Sequence, residues 1–418
     1  MNQNLRLSVY AAIPMVLCAS LTACTQEPER DQGRAPPPTT SESAENPTDP
    51  SSSAHGQGHA TFDDPTSTEQ TTAEHSPLPA NTKVISTQEI YAKSRSGVFL
   101  LWGKGPGGTF RGTAFVHDLG TGDAITNAHV VEGLTTVKAV FFDGTQQPVH
   151  VLGVDPCSDV AVVHVFGGFP KGTVRLPLGD SDALKPGNRV VSLGYPQTGS
   201  EDFVGADLIP TEGTVQDPKV TVDDLSLDLP DYVNAIQHGA TIQHGNSGGP
   251  LLDDKGNVVG INSLGGPEAT QSQYYAIPIN AAHEESEILM RQNSEHDLGW
   301  KVVSREANPL RIYSGYEKNG DEIEQALSKQ MGVPPGTGLF VESVVAGGAV
   351  DQKAMPTDVV VQMSNTEVNN VQDMCDILES TLPGHTLTLD GVHMIEQSGS
   401  VSFKPYHIQF QMPGAPHP

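Results

Sequence analysis

From position 98 onward, short β-rich runs follow one another at close spacing. They are Val98–Trp102, Gly112–His117, Ala124–Val131, Val137–Phe142, Val149–Val154 and Val160–Val165, then Val190–Gly194, Asn257–Asn262 and Tyr274–Ile279. Turn signals such as Gly120-Thr121-Gly122 and Asp143-Gly144 separate them. No long helical period falls between the runs, so βαβ units are excluded. Many short strands without intervening helices predict an antiparallel barrel or sandwich. The fold class expected is mostly β.

The chain has 418 residues, enough for two or three folding units. Its 23 Lys and Arg stand against 50 Asp and Glu, a net charge of −27. A polyanionic partner needs clustered cations, so nucleic-acid binding is excluded, and so is a polybasic membrane-surface protein. Leu7–Ala23 is an almost uncharged apolar run behind Arg6, the pattern of a secretory signal over 1–23. It ends Leu21-Thr22-Ala23-Cys24, which resembles a bacterial lipobox with Cys24 as the lipidated residue. An ordinary cleaved signal and an uncleaved anchor are the other readings of the run. Two acyl chains on Cys24 would hold the protein at a membrane without a spanning helix. Residues 24–83 are rich in Pro, Ser, Thr and acids, and nearly free of aliphatics. They cannot bury enough surface to offset ordering entropy and read as a disordered tether. His55, His59 and His75 within it match no compact metal site.

Three short motifs in the β-rich block carry the chemistry. They are Ile125-Thr126-Asn127-Ala128-His129-Val130-Val131, Ser158-Asp159-Val160-Ala161-Val162, and Gly245-Asn246-Ser247-Gly248-Gly249-Pro250. A Ser hydroxyl is a poor nucleophile at neutral pH; it needs a base, and the base needs a group to fix its tautomer. Ser247, His129 and Asp159 supply these in the chain order His, Asp, Ser. The glycines allow a tight turn in which the amides of Gly245 and Ser247 point at one oxygen and stabilise a tetrahedral anion. The string Gly245–Gly249 also fits an α/β-hydrolase elbow, but that fold places its His after the nucleophile and needs βαβ context.

These motifs, with Ile236-Gln237 and Gly260-Ile261-Asn262, resemble the trypsin-like double β-barrel fold and, within it, HtrA-type (high-temperature-requirement) serine proteases. The resemblance covers about residues 86–292. Val130 after the His, and Asn246 before the Ser, favour the HtrA branch. The resemblance implies endopeptidase activity on unfolded or exported proteins, often in a trimer, with no cofactor and no metal. It implies a substrate pocket drawn from Thr241, Ile261 and Asn262. Trypsins carry Asp six residues before the nucleophile; Thr241 stands there, so a small aliphatic side chain is expected in the pocket rather than Lys or Arg. The sequence departs from the family at His238-Gly239, where Thr-Asp is common, and at His244.

The peptidase domain is expected over 84–293, closed by a helix Ala281–Met290 with Asn280 as its N-cap. Residues 294–418 read as a second, α+β domain. It has an amphipathic helix Asp321–Met331 with Ile323, Ala326, Leu327 and Gln330 on one face, a strand Gly338–Val345, and an apolar stripe Val371, Met374, Cys375, Leu378, Leu382. Strands around Thr386–Leu389 and His407–Gln411 close it. This resembles the PDZ domain that follows HtrA proteases, which captures peptide C-termini by strand addition. The resemblance places Leu298, Gly299 and Trp300 in the carboxylate loop, with Asp297 in place of the family's aromatic residue. Two cysteines remain after Cys18 and Cys24: Cys157 and Cys375. A bridge between them is open in an oxidising compartment, but the simpler expectation is two buried thiols. Asp217, Asp223, Asp224, Asp228 and Asp231 fit no EF-hand spacing and read as a solvated loop.

Overall fold

The computed structural model describes residues 85–105, 108–197, 207–223, 226–263, 273–291, 294–305, 320–397 and 400–413. The signal expected over 1–23, Cys24 and the whole tether expected to residue 83 lie outside the described residues.

Two closed six-stranded barrels form the first half. The first runs in the order β1 (Val98–Gly105), β2 (Gly108–Asp118), β3 (Asp123–Thr126), β6 (Val160–Val165), β5 (Gln146–Asp155), β4 (Thr136–Val140). The second runs β10 (Pro250–Leu252), β11 (Val258–Asn262), β12 (Tyr274–Pro278), β9 (Tyr232–His238), β8 (Ile209–Val222), β7 (Arg189–Gly194). All pairings are antiparallel, and closure leaves neither sheet with a free edge.

Alternation along the strands explains the cores. Phe99, Leu101, Ala114, Val116, Ala161 and Val163 fill one cluster confined to barrel one. Val190, Val215, Ile236, Leu251 and Val259 fill its counterpart in barrel two. The intervening residues Val98, Leu100, Phe115, Val160 and Val162 join Val191, Leu193, Leu252 and Ile261 in a third cluster shared by both barrels. Strands β1, β3 and β6 are therefore buried on both faces, so β1 and β6 read as nearly unbroken apolar runs, whereas β4 and the first half of β5 expose one face.

Helix α1 (Thr87–Ser94) opens with a capping box between Ser86 and Glu89. A helical turn, α2 (Ala128–Val131), interrupts what the sequence suggested was one strand over 124–131. Helix α3 (Ile279–Leu289) closes the domain. Its N-cap is Pro278, not Asn280; Asn280 lies inside the helix and uses its side chain to hold Asp180 and Asp182. At Gly153 on β5 a Cβ would lie 2.7 Å from the Leu289 carbonyl, so only glycine lets α3 pack so closely.

One of the five aspartates lies on a strand, and Asp223, Asp228 and Asp231 lie in the connection that follows it. Strand β8 runs through Val222 and β9 begins at Tyr232, so Asp217 lies on β8 and only the hairpin tip between them is irregular. Asp228, on that tip, is taken up in an ion pair with Lys301 at 3.4 Å rather than solvated.

The remaining residues form a PDZ-like sheet in the order β13 (Trp300–Ser304), β14 (Leu339–Val344), β15 (Val359–Met363), β17 (Thr386–Gln397), β18 (Ser400–Gln411), with β16 (Thr366–Glu367) on β15. Helices α4 (Gly320–Met331) and α5 (Val371–Glu379) accompany it. The buried face of α4 carries Ile323, Glu324 and Leu327; Gln330 is exposed, and Glu324 is buried because it pairs with the fully buried Arg305. Leu382 lies beyond the end of α5 and is exposed, so the apolar stripe stops at Leu378.

Cys157 and Cys375 are bonded, with Cα atoms 5.5 Å apart across 218 residues of sequence. This corrects the expectation of two free thiols. Spacing along the chain carries no sign of the pairing, because it depends on how α5 docks beside the β5–β6 turn.

Candidate active site

His129 sits on the α2 turn just after β3. Asn127, before it, is fully buried and donates its Nδ2 to the Asp159 carbonyl at 3.0 Å. The Ala128 amide donates to the same carbonyl. Asp159 occupies the turn between β5 and β6 with φ of 52°, a left-handed conformation that an Asp tolerates but does not favour. That conformation aims its side chain back at His129. The carboxylate accepts from the His129 amide at 3.0 Å and from ring Nδ1 at 2.9 and 3.0 Å. An ionised carboxylate only accepts, so the proton sits on Nδ1 and the lone pair on Nε2 is left for a base's work. Burial pushes the imidazole toward neutrality, but the Asp159 charge and hydrogen bond outweigh it, and its pKa stands above the ordinary value.

Asp159 has a further partner. The Tyr232 hydroxyl donates to Oδ2 in a short hydrogen bond, and it also bonds the Ser263 hydroxyl at 2.7 Å. Asp159, Tyr232 and Ser263 are all buried. Burial, with the Asp159 charge behind it, drives the phenol pKa well up, so Tyr232 remains a donor.

Ser247 lies on the loop Gly245–Gly249 between β9 and β10, and is itself 4% exposed. Thr113 of β2 clamps this loop. Its amide donates to the Ser247 carbonyl at 2.8 Å and its hydroxyl to the Gly245 carbonyl at 2.7 Å, while that hydroxyl accepts from the Tyr195 amide. Thr113 thus ties the nucleophile loop to barrel one. Gly248 has φ of 83°, and a Cβ there would fall 2.1 Å from both the Thr113 carbonyl and the Thr126 hydroxyl. The His244 carbonyl accepts from the Gln197 amide at 2.7 Å. Since a trans peptide points its carbonyl and N–H in opposite directions, the Gly245 amide is turned away from Gln197. Among the described residues the amides of Gly245 and Ser247 have no acceptor, as an oxyanion site requires.

The structure thus joins His129 to Asp159 and sets Ser247 on a clamped loop whose Gly248 packs against Thr126 and Asn127. Among the described residues no hydrogen bond links Ser247 to His129. Of the expected pocket residues, Thr241 is exposed, with its carbonyl held by Thr211, whereas Ile261 and Asn262 are fully buried. The Asn262 amide group donates to the Pro250 carbonyl at 3.0 Å, and its backbone exchanges hydrogen bonds with Gly248 and Gly249. Sequence reasoning missed Thr113, Tyr232 and Ser263, whose types are common on any strand. The signal open to it was the Thr113 and Thr126 pair, two fully buried hydroxyls on neighbouring strands.

In the PDZ-like domain, Leu298 and Trp300 are buried and Gly299 has φ of 77°. The Asp297 carboxylate accepts from the Gly299 amide at 2.7 Å, so a carboxylate already lies in the loop. Beside it, the β8–β9 hairpin tip runs along the edge strand β13. The Ser304 amide donates to the Leu227 carbonyl at 2.6 Å, and the Asp231 amide to Gln372 Oε1 on α5 at 2.8 Å. Lys301 of β13 reaches Asp228 at 3.4 Å and Glu342 at 3.6 Å.

Residues 112–261 match the trypsin-like peptidase domain family. Two closed barrels, a His–Asp pair and a glycine-rich Ser loop agree with that match. The similar curated proteins sharpen this. "Putative serine protease HhoB" of Synechocystis is 31% identical over 272 residues, covering 64% of this chain and 60% of its own. "Serine protease Do-like HtrB" of Bacillus subtilis is 29% identical over 281 residues, covering 65% and 56%. "Periplasmic serine endoprotease DegP" of Escherichia coli K12 is 26% identical over 281 residues, covering 66% and 53%. A solved structure, "HtrA-type protease AlgW with tripeptide", is 22% identical and covers 80% of this chain and 98% of its own, with a TM-score of 0.43. Over about two thirds of its length the chain is similar to Do-like and DegP serine proteases. The chain spans between about half and three fifths of the length of these curated relatives.

Proposed function

We propose that this chain is an exported, membrane-tethered serine endopeptidase that cleaves unfolded or exported proteins under control of its PDZ-like domain. The observation that carries the reading is the partly buried Asp159–His129 pair beside a Ser247 loop whose two amides have no acceptor among the described residues. Ser247 Oγ attacks the scissile carbonyl and passes its proton to His129 Nε2. The carbonyl oxygen becomes an anion held by the Gly245 and Ser247 amides. His129 then protonates the departing amine, leaving an acyl-enzyme. Water attacks it, again with His129 as base, and releases the acid. Thr241 stands where a cation-binding Asp would lie, which favours a small aliphatic side chain in the pocket.

The PDZ-like domain captures peptide C-termini at Leu298, Gly299 and Trp300 along β13. The segment it would displace is the hairpin tip that ends in Tyr232, the residue bonded to Asp159. Capture at β13 therefore bears directly on the catalytic pair. Lipid on Cys24 holds the protein at the cell envelope, where the DegP relatives are described as periplasmic, and three copies assemble as in the family.

The test is labelling of the full chain with a fluorophosphonate, with Ser247→Ala as control, in the presence and absence of C-terminal peptides. Labelling of the wild type alone, and cleavage of an unfolded protein, is expected. No labelling and no cleavage under any peptide would leave a non-catalytic scaffold that binds C-termini. Cys24→Ala should move the protein from membranes to the soluble fraction.

A further inference from the structure

A second group of ligating side chains lies where the closing helix of the peptidase domain meets barrel one. His117 stands near the end of β2. His283 and Glu287 stand one turn apart on α3 and so share a helix face. One ligand atom from each of the three lies within 4.8 Å of the others. His117 Nε2 is 3.8 Å from Glu287 Oε1, too far for a hydrogen bond, and the two imidazole rings are 5.5 Å apart. Ligands held at about 2.0–2.2 Å around one tetrahedral ion stand somewhat over 3 Å from each other, so small rotations close this set.

Neither ring is committed elsewhere. His117 is 5% exposed, yet its Nδ1 has no partner, and the buried Nδ1 of His283 has none either. Burial, with His283 beside it, lowers the His117 pKa, so the ring is neutral, the form that binds metals. Arg175 adds positive charge nearby, opposed by Glu287 and Asp118. Glu287 is 51% exposed, which gives an ion a way in. The other three-residue group, Asp155, Cys157 and His296, offers no such set. Cys157 is consumed in the disulfide and His296 Nδ1 already bonds Asp155 at 3.0 Å.

We propose that His117, His283 and Glu287 bind a zinc ion, with water as fourth ligand, and that the ion clips α3 onto barrel one. Two imidazoles and one carboxylate suit Zn²⁺; Ca²⁺ and Mg²⁺ want oxygen throughout. The site stands apart from the catalytic residues, so it does not depend on the protease reading.

The test uses the full chain, stripped with chelator and titrated with Zn²⁺ by equilibrium dialysis, alongside His283→Ala, Glu287→Gln, His296→Ala and His129→Ala. Both α3 positions reach solvent, so their variants keep the fold, as circular dichroism will verify. The wild type should bind one equivalent more than His283→Ala, and Glu287→Gln should weaken that equivalent about tenfold or more. His296→Ala and His129→Ala should keep it. Zn²⁺ should raise the Tm of the wild type and not of His283→Ala, and Co²⁺ should give the visible bands of a four-coordinate site only when His283 is present. Equal zinc binding and equal Tm response in wild type and His283→Ala would overturn the proposal. So would loss of the equivalent in His296→Ala or His129→Ala.

Discussion

Removing the Cys157–Cys375 bond should cost more than any single core substitution usually does. The bond joins the turn that carries Asp159 to α5 of the PDZ-like domain, across 218 residues. Closing a loop of that length removes on the order of 18 cal/mol/K from the unfolded chain, about 5 kcal/mol near room temperature. If only the PDZ-like domain unfolds, the loop is shorter, but the dependence is logarithmic and the loss falls only slightly. The perturbation is Cys157→Ala with Cys375→Ala, which leaves no lone thiol. The chain has 2 tryptophans, Trp102 on β1 and Trp300 on β13, so fluorescence during guanidinium unfolding reports both domains. The double variant should unfold at a clearly lower midpoint, with the Trp300 domain moving most, and reductant should bring the wild type to the same place. A midpoint unchanged by both treatments, or a shift below about 1 kcal/mol, would refute the reasoning, because the cross-link would then constrain nothing in the unfolded chain.

Other outcomes follow from the site. Asp159→Asn should lower kcat by about 10⁴ while leaving substrate affinity nearly intact, since the tautomer of His129 is then wrong. The base must be neutral and its pKa lies above 6.5, so kcat/KM should rise with pH through a midpoint above 6.5; a midpoint near 5 would contradict the Asp159 pairing. Tyr232→Phe should cost about 1.5–3 kcal/mol of transition-state stabilisation, seen in kcat rather than KM, because a buried carboxylate loses a donor. Gly248→Ala should abolish fluorophosphonate labelling, since its Cβ would overlap Thr113 and Thr126. His238 is fully buried, and burial holds its pKa down at about 3. Below pH 6.5 the unfolded chain takes up a proton the folded one refuses, so stability falls as pH drops, by about 1.4 kcal/mol per pH unit. His238→Thr should flatten that acid slope in urea titrations; an unchanged slope would count against it.

Barrel one was legible because strands such as β1 and β6 are buried on both faces and spell nearly continuous apolar runs, as Val160–Val165 does, while β4 alternates. Strand β8 was not. Its residues are mostly half or fully exposed, with Pro210 and Pro218 among them, and its ladder to β9 shifts register three times. It is a strand because β7 and β9 hold it, a fact that lives in tertiary pairing rather than in local propensity. The candidate residues His129, Asp159 and Ser247 could be picked out through residue types that chemistry restricts, and the structure pairs His129 with Asp159. Their supports could not, because Thr113, Tyr232 and Ser263 look like ordinary strand residues until two barrels meet. On α4 the periodicity pointed at Gln330, but the buried Arg305 drew Glu324 inward instead. In the same way, the Cys157–Cys375 pair and the Lys301–Asp228 ion pair depend on how two domains dock.

If β13 captures peptide C-termini as proposed above, the hairpin tip lying along it sets how an outside peptide is sensed. The tip and the β13 edge belong to one chain, so they meet at an effective concentration on the order of millimolar, whatever the protein concentration. An incoming C-terminus competes against that fixed quantity. Its apparent affinity is its intrinsic affinity reduced by the fraction of molecules whose β13 edge is open. A weakly seated tip suffices to set a threshold, so scattered single chain ends go unanswered. Abundant or multivalent ones cross it.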